Sequence, residues 1–487
     1  MGHTFDMDTD TPPEGITPEE WAATPGAVQH LLLATLSVVA LLQQHLAALT
    51  QRVAELEAQL KLNSHNSSKP PSSDPPSAPP RPARTPRGRK AGGQVGHVRH
   101  ERPTPEPDQI TAVEHHYPSV CPGCGDSVNT HHREACAPSL HYVWELPLVQ
   151  PLITAHHFHS VCCHGCGELV TAPRPSTVPA GAFGPRAAAV VALLHGRYRI
   201  SHREVVNLFG DLFRFPLSLG SVVSLQSHVS AALAPVYEQV QTRVQSAPVL
   251  NIDETGWKEA GARRWLWTVV GAIATLFMVA NSRGRSVLQT LIGAEFGGIV
   301  GSDRARMYLS LPPQRHQLCW AHLVRNVRAL SERKGSLAVW AADFLVLSEL
   351  MFRLWHAYRG GTLDRVMLAD CLEPIQLALR ALLERGSKRY DAAEGLSHEL
   401  LAHWDALWTF VRVEGVEPTN NRAEQALRPA VLWRKGCFGA HSAEGNRFVE
   451  RILTVSATCT QQNRHLLSFL TEAVDAHWQG LPAPKLV

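Results

Sequence analysis

Between residue 246 and about residue 325 the chain repeats one pattern, a short apolar run that stops at an acid or a turn. PVLNIDET is such a run and ends on Asp253 and Glu254. RRWLWTVVGAIATLFMVANS reads as two strands joined by a turn at Gly271, and RSVLQTLIGAEF reads as a helix. GGIVGSD is a further strand ending on Asp303, and RHQLCWAHLVRNVRAL passes from a strand into a helix. Runs this short, bounded by Gly and polar residues, suit strands, whereas apolar spacings of three and four suit helices.

Three strands, a helix, a strand, then another strand and helices is the element order of a ribonuclease-H-like fold. The expected class is therefore α+β and multidomain, built around such a core at 246–480. In that order the first and fourth strands lie side by side, which brings Asp253 and Asp303 toward each other. Two close carboxylates repel unless a divalent cation sits between them. Mg2+ (or Mn2+) takes carboxylate oxygens, and two ions ~3.5–4 Å apart can activate an attacking oxygen and stabilise a leaving one. A turn or helix cap explains a lone strand-end Asp equally well, and Glu254 competes as a ligand.

Residues from about 325 to 415 carry Leu, Ala and Trp at helical spacing and are expected to be a helical insertion whose stripes are core. The next helix is announced by VEPTNNRAEQALRP, with Asn421 as its N-cap and Glu424 three residues on. That spacing is a capping box, which accounts for Glu424 without any chemistry. Alternatively Glu424 projects from the helix start as a third metal ligand, with Glu417, Glu444 and Glu450 as rivals. Arg422, Arg428, Arg434 and Lys435 lie close enough in sequence to hold phosphates.

The N-terminal half has other signatures. Residues 1–25 are rich in Pro, Thr and acids and are expected to be disordered. Over 26–62, Val28, Leu32, Thr35, Val39, Leu42, Leu46, Leu49, Val53, Leu56 and Leu60 alternate steps of four and three, the seam of a coiled-coil helix that needs a partner. Residues 63–105 form a Pro- and Ser-rich linker carrying Arg87, Arg89 and Lys90, which can lie along DNA phosphates or simply be solvated. CPGCG (Cys121, Cys124) and CHGCG (Cys163, Cys166) then repeat a C-x-x-C-G knuckle. Two such knuckles complete a tetrahedral site of four cysteine thiolates, so a zinc ribbon with structural Zn2+ is expected over 106–175. Residues 176–245 read as helices, with a capping box at Ser201 and Glu204. A helix-turn-helix there can dock in a major groove, but the second helix lacks basic residues and an ordinary hairpin suffices. Cys319 and His322 share C-x-x-H spacing, read as a buried thiol beside a hydrogen-bonded histidine.

Length and charge set outer limits. A chain of 487 residues implies about three domains. A net charge of +3 excludes a uniformly basic coat, so any nucleic-acid contact is local. The most apolar run, Leu31 to Leu42, is shorter than the ~20 residues a membrane span needs and follows an acidic segment. No membrane is expected as a partner, and the chain is placed in the cytoplasm.

Over nearly its whole length the chain resembles transposases of the insertion sequence 66 family. The shared strings are NSHNSSKPPSSD, GGQVGH, the paired knuckles, NIDETGWK, the WLW strand, SD at Asp303, HQLCWAHLVRN, and NNRAEQALRP followed by RKGCFGA. The resemblance implies a DDE-type transposase that hydrolyses DNA at element ends and transfers the freed 3′-OH into target DNA. Asp253, Asp303 and Glu424 would be its metal-binding triad, double-stranded DNA its partner, and accessory proteins of the same element further partners. It also implies a bacterial, nucleoid-associated enzyme, and the N-terminal seam adds the expectation of a homodimer or higher oligomer. Two departures stand out: Arg304 and Ala305 replace the family's Gly-Tyr after the second Asp, and Gly436 and Cys437 replace its tryptophan-containing stretch. The competing reading is a non-catalytic zinc-ribbon DNA-binding protein, decayed or domesticated.

Overall fold

A computed structural model describes residues 12–13, 15–61, 104–128, 137–333, 335–389 and 391–487. Arg87, Arg89 and Lys90 lie outside the described residues. The chain divides into two compact units, one comprising Met1–Ala78, Ile153–Asp211 and Phe215–Val487, the other Pro79–Leu152 and Leu212–Arg214.

Within the stretch expected to be disordered, residues 18–23 form the first described element. Helix α1 (Pro18–Ala23) starts on a capping box, in which Thr17 and Glu20 satisfy each other's backbone N–H, and it buries Trp21. Helix α2 (Gly26–Lys61) follows. Its seam residues Val28, Val39, Leu42, Leu46, Leu49 and Val53 are exposed, so nothing in this chain covers that face among the described residues. Its apolar stretch outruns Leu31–Leu42, because Gln and His interrupt it without charge. By length and composition Gly26–Val53, which contains an 18-residue window of mean hydropathy 1.7, is long and apolar enough to cross a membrane.

Each knuckle folds as its sequence demands. Gly125 (φ +79°) and Gly167 (φ +76°) take the left-handed conformation that closes the turn. Gly125 N–H donates to the Cys121 carbonyl at 2.9 Å, and Gly167 N–H to the Cys163 carbonyl at 2.8 Å. Strands β1 (Ser160–Cys162) and β2 (Leu169–Thr171) pair around the second knuckle. The alternation between the knuckles predicts strands there as well; among the described residues 137–159 carry none, and their apolar side chains, such as Leu146, Leu148 and Leu152, stay exposed.

Helices α3 (Pro185–Ala192), α4 (His202–Phe213), α5 (Leu219–Ala232) and α6 (Ala234–Gln245) come next. The capping box of α4 is present, with Ser201 N–H on Glu204 at 3.1 Å and Glu204 N–H on Ser201 at 3.3 Å. Helix α5 buries Val222, Leu225 and Val229, the behaviour of a packed hairpin.

The central element is a mixed five-stranded sheet. Strands β3 (Val249–Glu259), β4 (Ala262–Val270) and β5 (Thr275–Ala280) form an antiparallel meander, with Gly271 N–H closing the last turn on Ala274 at 2.8 Å. Helix α7 (Arg285–Ile292) crosses over to β6 (Ile299–Ser302), which pairs parallel to β3, and β7 (His316–Leu318) adds parallel to β6. The spatial order is therefore β5-β4-β3-β6-β7.

After β7 come helices α8 (Trp320–Ser331), α9 (Ser336–Arg359), α10 (Arg365–Arg389), α11 (Asp391–Ala402), α12 (Trp404–Leu407) and α13 (Thr409–Arg412). They share a core of Trp320, Trp340, Phe344, Trp408 and Phe410 with β7. Helices α14 (Asn421–Cys437), α15 (Ala443–Gln461) and α16 (Leu466–Trp478) close the chain. Between α14 and α15 the backbone pairs with the end of β3: Ala440 N–H donates to Lys258 and Ala260 N–H to Ala440, both at 2.9 Å. Gly439 (φ +126°) makes that approach possible, since a Cβ there would fall on the Lys258 carbonyl.

Candidate active site

Strand register positions the first two acids. Asn251 on β3 pairs with Gly301 on β6, so Asp253 and Asp303 both lie two residues beyond one pairing, Asp303 just past the end of β6 and Asp253 within β3, which does not stop at its acids as expected but runs on to Glu259 against β4. Asp253 accepts the Glu254 N–H at 2.9 Å, and Asp303 accepts the Ala305 N–H at 2.9 Å. Among the described residues no cationic side chain pairs with either carboxylate. Burial, then the negative charges of Glu254, Asp303 and Glu424, push the Asp253 carboxyl well above the usual carboxylate range.

Glu254, the rival ligand, is otherwise engaged. Its two oxygens accept from Arg283 Nε at 2.6 Å and from the Tyr308 hydroxyl. Burial still raises its carboxyl, while those two partners pull it down. A carboxylate already paired with a guanidinium has little to gain from a metal.

Glu424 turns out not to be a capping residue. The N-cap of α14 is Asn420, one residue before Asn421, and it caps nothing with its side chain. Instead Asn420 is buried and bridges to β3, donating to the Ile252 carbonyl at 2.7 Å and accepting from Asn251 at 3.1 Å. That anchor sets the head of α14 against the strand that carries Asp253. The Glu424 carboxylate, 41% exposed, lies 3.4 Å from His322 Nδ1. The rival third acids lie elsewhere: Glu417 pairs with Arg359 at 2.7 Å, and Glu450 accepts the Val279 N–H at 2.6 Å on the far edge of the sheet. Glu444 sits in the first turn of α15.

His322 is the residue that sequence reasoning leaves out of this site. It occupies the first turn of α8, directly after β7, and Cys319 caps that helix. Burial and Arg325 lower its pKa, while the charges of Glu424 and Asp303 raise it. Cys319, His322 and Glu424 are the trio of potential metal-ligating groups among the described residues whose ligand atoms all lie within 4.8 Å of one another. The C-x-x-H spacing is the available signal; what makes it weak is the lack of a partner nearby in sequence, which α14 supplies from about a hundred residues further on. The buried thiol agrees with expectation: Cys319 is buried, and burial pushes its thiol up to about 11.

The basic residues of α14 divide into two kinds. Arg422 donates to the Gly271 carbonyl at 3.1 Å, and Arg434 donates to Thr255 and the Gly256 carbonyl at 2.8 and 2.6 Å. Both tie α14 to the sheet. Arg428 and Lys435 are exposed. In the knuckles, N–H groups of Cys124 and Gly123 on Cys121, and of Cys166 and Gly165 on Cys163, lower both thiols.

Residues 180–447 match the transposase IS66 family, a span that takes in the whole five-stranded sheet, Asp253, Asp303 and Glu424. The chain belongs to that family. Residues 17–103 match a family of unknown function, DUF6444. Similar curated proteins come from Sinorhizobium fredii (strain NBRC 101917 / NGR234). The uncharacterized protein y4hP is 23% identical over 400 residues, covering 74% of this chain and 70% of that one. The uncharacterized protein y4qI is 27% identical over 292 residues, about half of each chain. Membership of the family makes this a transposase domain of mixed α+β construction, with DNA as its partner.

Proposed function

We propose that the chain is a DDE-type transposase that hydrolyses phosphodiester bonds at element ends and joins the freed 3′-OH to target DNA. The observation that carries this reading is the pair Asp253 and Asp303, each two residues beyond the last pairing of β3 with β6 and without a cationic partner among the described residues, while neighbouring Glu254 has its own. The sheet order, antiparallel over its first three strands and parallel over the last two, is the one a ribonuclease-H-like core requires.

The donor set suits a hard cation. Asp253, Asp303 and Glu424 offer only oxygens, the choice of Mg2+ or Mn2+. When bound, such ions supply Lewis acidity at the scissile phosphate. Asp253 and Asp303 are the fixed ligands, held by strand backbone, and Glu424 is the adjustable one, half-exposed at a helix head. His322 stands beside Glu424, its Nδ1 3.4 Å from the carboxylate and without a hydrogen bond. Arg428 and Lys435, exposed on the helix that carries Glu424, hold DNA phosphates, while Arg422 and Arg434 serve mainly to fix α14. Arg87, Arg89 and Lys90 add a basic arm.

The Cys121–Cys124 and Cys163–Cys166 knuckles are structural zinc-binding elements, with backbone N–H groups preparing the Cys121 and Cys163 sulfurs. The exposed seam of α2 pairs with a second copy, since Gln43, Gln44 and His45 break the uniform apolar surface that a membrane span would present. The site of action is the cytoplasm, at the nucleoid, alongside accessory proteins of the same element.

The test is a nicking assay on DNA spanning the element's ends. Wild-type protein nicks it only with Mg2+ or Mn2+, and Asp253→Asn lowers the rate at least ~1000-fold with the fold intact, the order of loss seen when an essential catalytic group is removed. Nicking that survives Asp253→Asn refutes the proposal.

A further inference from the structure

We propose that Cys319, His322 and Glu424 form a second metal site, one that selects a thiophilic divalent ion, Zn2+ above all, over Mg2+. The ligand atoms of the three residues lie within 4.8 Å of one another. Two helix starts deliver them: Cys319 and His322 stand at the cap and first turn of α8, and Glu424 in the first turn of α14. Donors around a tetrahedral zinc stand about 3.5 Å apart, given bond lengths of ~2.0–2.3 Å. His322 Nδ1 and Glu424 Oε1 already stand 3.4 Å apart, so the gap to close is about 1 Å at most and lies between Cys319 and the other two donors.

The chemistry of the donors fits the ion. A sulfur, an imidazole nitrogen and a carboxylate oxygen suit zinc, whereas Mg2+ avoids sulfur. The Cys319 sulfur accepts the Asn420 N–H at 3.1 Å, and N–H groups of His322 and Ala321 also point at it. Cys121 and Cys163 carry the same kind of N–H contacts within the knuckles. An arriving ion displaces the proton that burial holds on the thiol. His322 Nδ1 is buried without a hydrogen bond and sits 3.4 Å from Glu424 Oε1, so it has a lone pair to give. Three protein donors leave the fourth position open, facing the half-exposed side of Glu424.

The site's existence does not depend on catalysis, but its consequence rests on the function proposed above. Glu424 stands between two clusters, and an ion held by Cys319 and His322 draws it away from Asp253 and Asp303. Zinc therefore acts as an antagonist of Mg2+.

The experiment measures zinc bound to the full chain after equilibration with buffered micromolar free Zn2+. Wild type is expected to hold one ion per chain more than Cys319→Ser and His322→Asn, whose knuckles remain loaded and whose melting curves confirm folding. Equal zinc content in wild type and both variants overturns the site. Because either variant alone can disturb the helix start, Co2+ substitution gives an independent readout: Glu424→Gln is expected to change the visible spectrum of the extra ion, and an unchanged spectrum overturns the assignment of Glu424. In a parallel nicking assay, micromolar Zn2+ is expected to suppress the Mg2+-dependent rate at least tenfold. Zinc that binds without suppressing nicking leaves the site standing and contradicts the catalytic role of Glu424 instead.

Discussion

At the scale of single residues, the site is a problem in uncompensated charge. Asp253 is forced by β3 into a partly buried position beside three other acids, and its raised pKa measures the cost of keeping it ionised there. Replacing the neighbouring charge should relieve that cost. We expect Asp303→Asn to melt a few degrees higher than wild type in chelator, on the order of 1 kcal/mol, and to lose the stabilisation that Mg2+ gives wild type. Thermal melting with and without Mg2+ checks both halves; a variant that melts lower in chelator contradicts the charge argument. Asp253 and Asp303 are legible in the sequence because an acid closing an apolar run needs only a local pattern to be seen, although β3 itself runs on to Glu259. Glu424 is ambiguous there, since a capping box from Asn421 accounts for it as well as a metal-ligand role does. The choice is made by Asn251 and Ile252, far away in sequence, which claim the Asn420 side chain for β3.

At the scale of elements, helix α15 seals the open edge of the sheet. Thr458, Thr454 and Glu450, spaced by four on α15, accept the N–H groups of Thr275, Phe277 and Val279, spaced by two on β5. A helix turn thus matches a strand pleat, and those three edge donors are closed to any other chain. Nothing local in the sequence announces this match, because about 180 residues separate the partners and Ser, Thr and Glu on a helix ordinarily signal a solvated face. Glu450 carries a measurable trace of it: burial raises its carboxyl from 4.5 to about 6. A carboxyl whose folded pKa lies above its unfolded value favours the fold most when protonated, so this contribution is complete below pH 4.5 and is lost as pH rises through about 6. Glu450→Gln keeps the acceptor and removes the titration. Its stability relative to wild type is expected to rise across that window by on the order of 2 kcal/mol, read from denaturant midpoints against pH. A difference that stays flat with pH contradicts the assignment. The ion pair between Arg304 and Glu399 at 2.6 Å is a second such link, tying the residue after Asp303 to α11 where the family's usual Gly-Tyr is absent.

At the scale of the whole molecule, the sheet order and helical insertion follow from the alternation of short apolar runs and helical stripes, which is why that part of the fold is readable. The N-terminal half is less so. Its capping box at Thr17 is hidden among acids and prolines, and the extended segment between the knuckles resembles strands only in its alternation. Helix α2 exposes a long apolar seam that a second copy should cover. Deleting residues 1–62 is therefore expected to halve the mass measured in solution by light scattering; an unchanged mass removes the coiled-coil pairing from the account.

The most direct test of the central claim is a joining assay with a preprocessed DNA end, a free 3′-OH and a target plasmid, in Mg2+. Wild-type protein should join the end to the plasmid, and Asp253→Asn, Asp303→Asn and Glu424→Gln should each abolish joining while still binding the DNA end. Joining by any of the three variants at the wild-type rate would contradict the assignment of that residue to the catalytic centre.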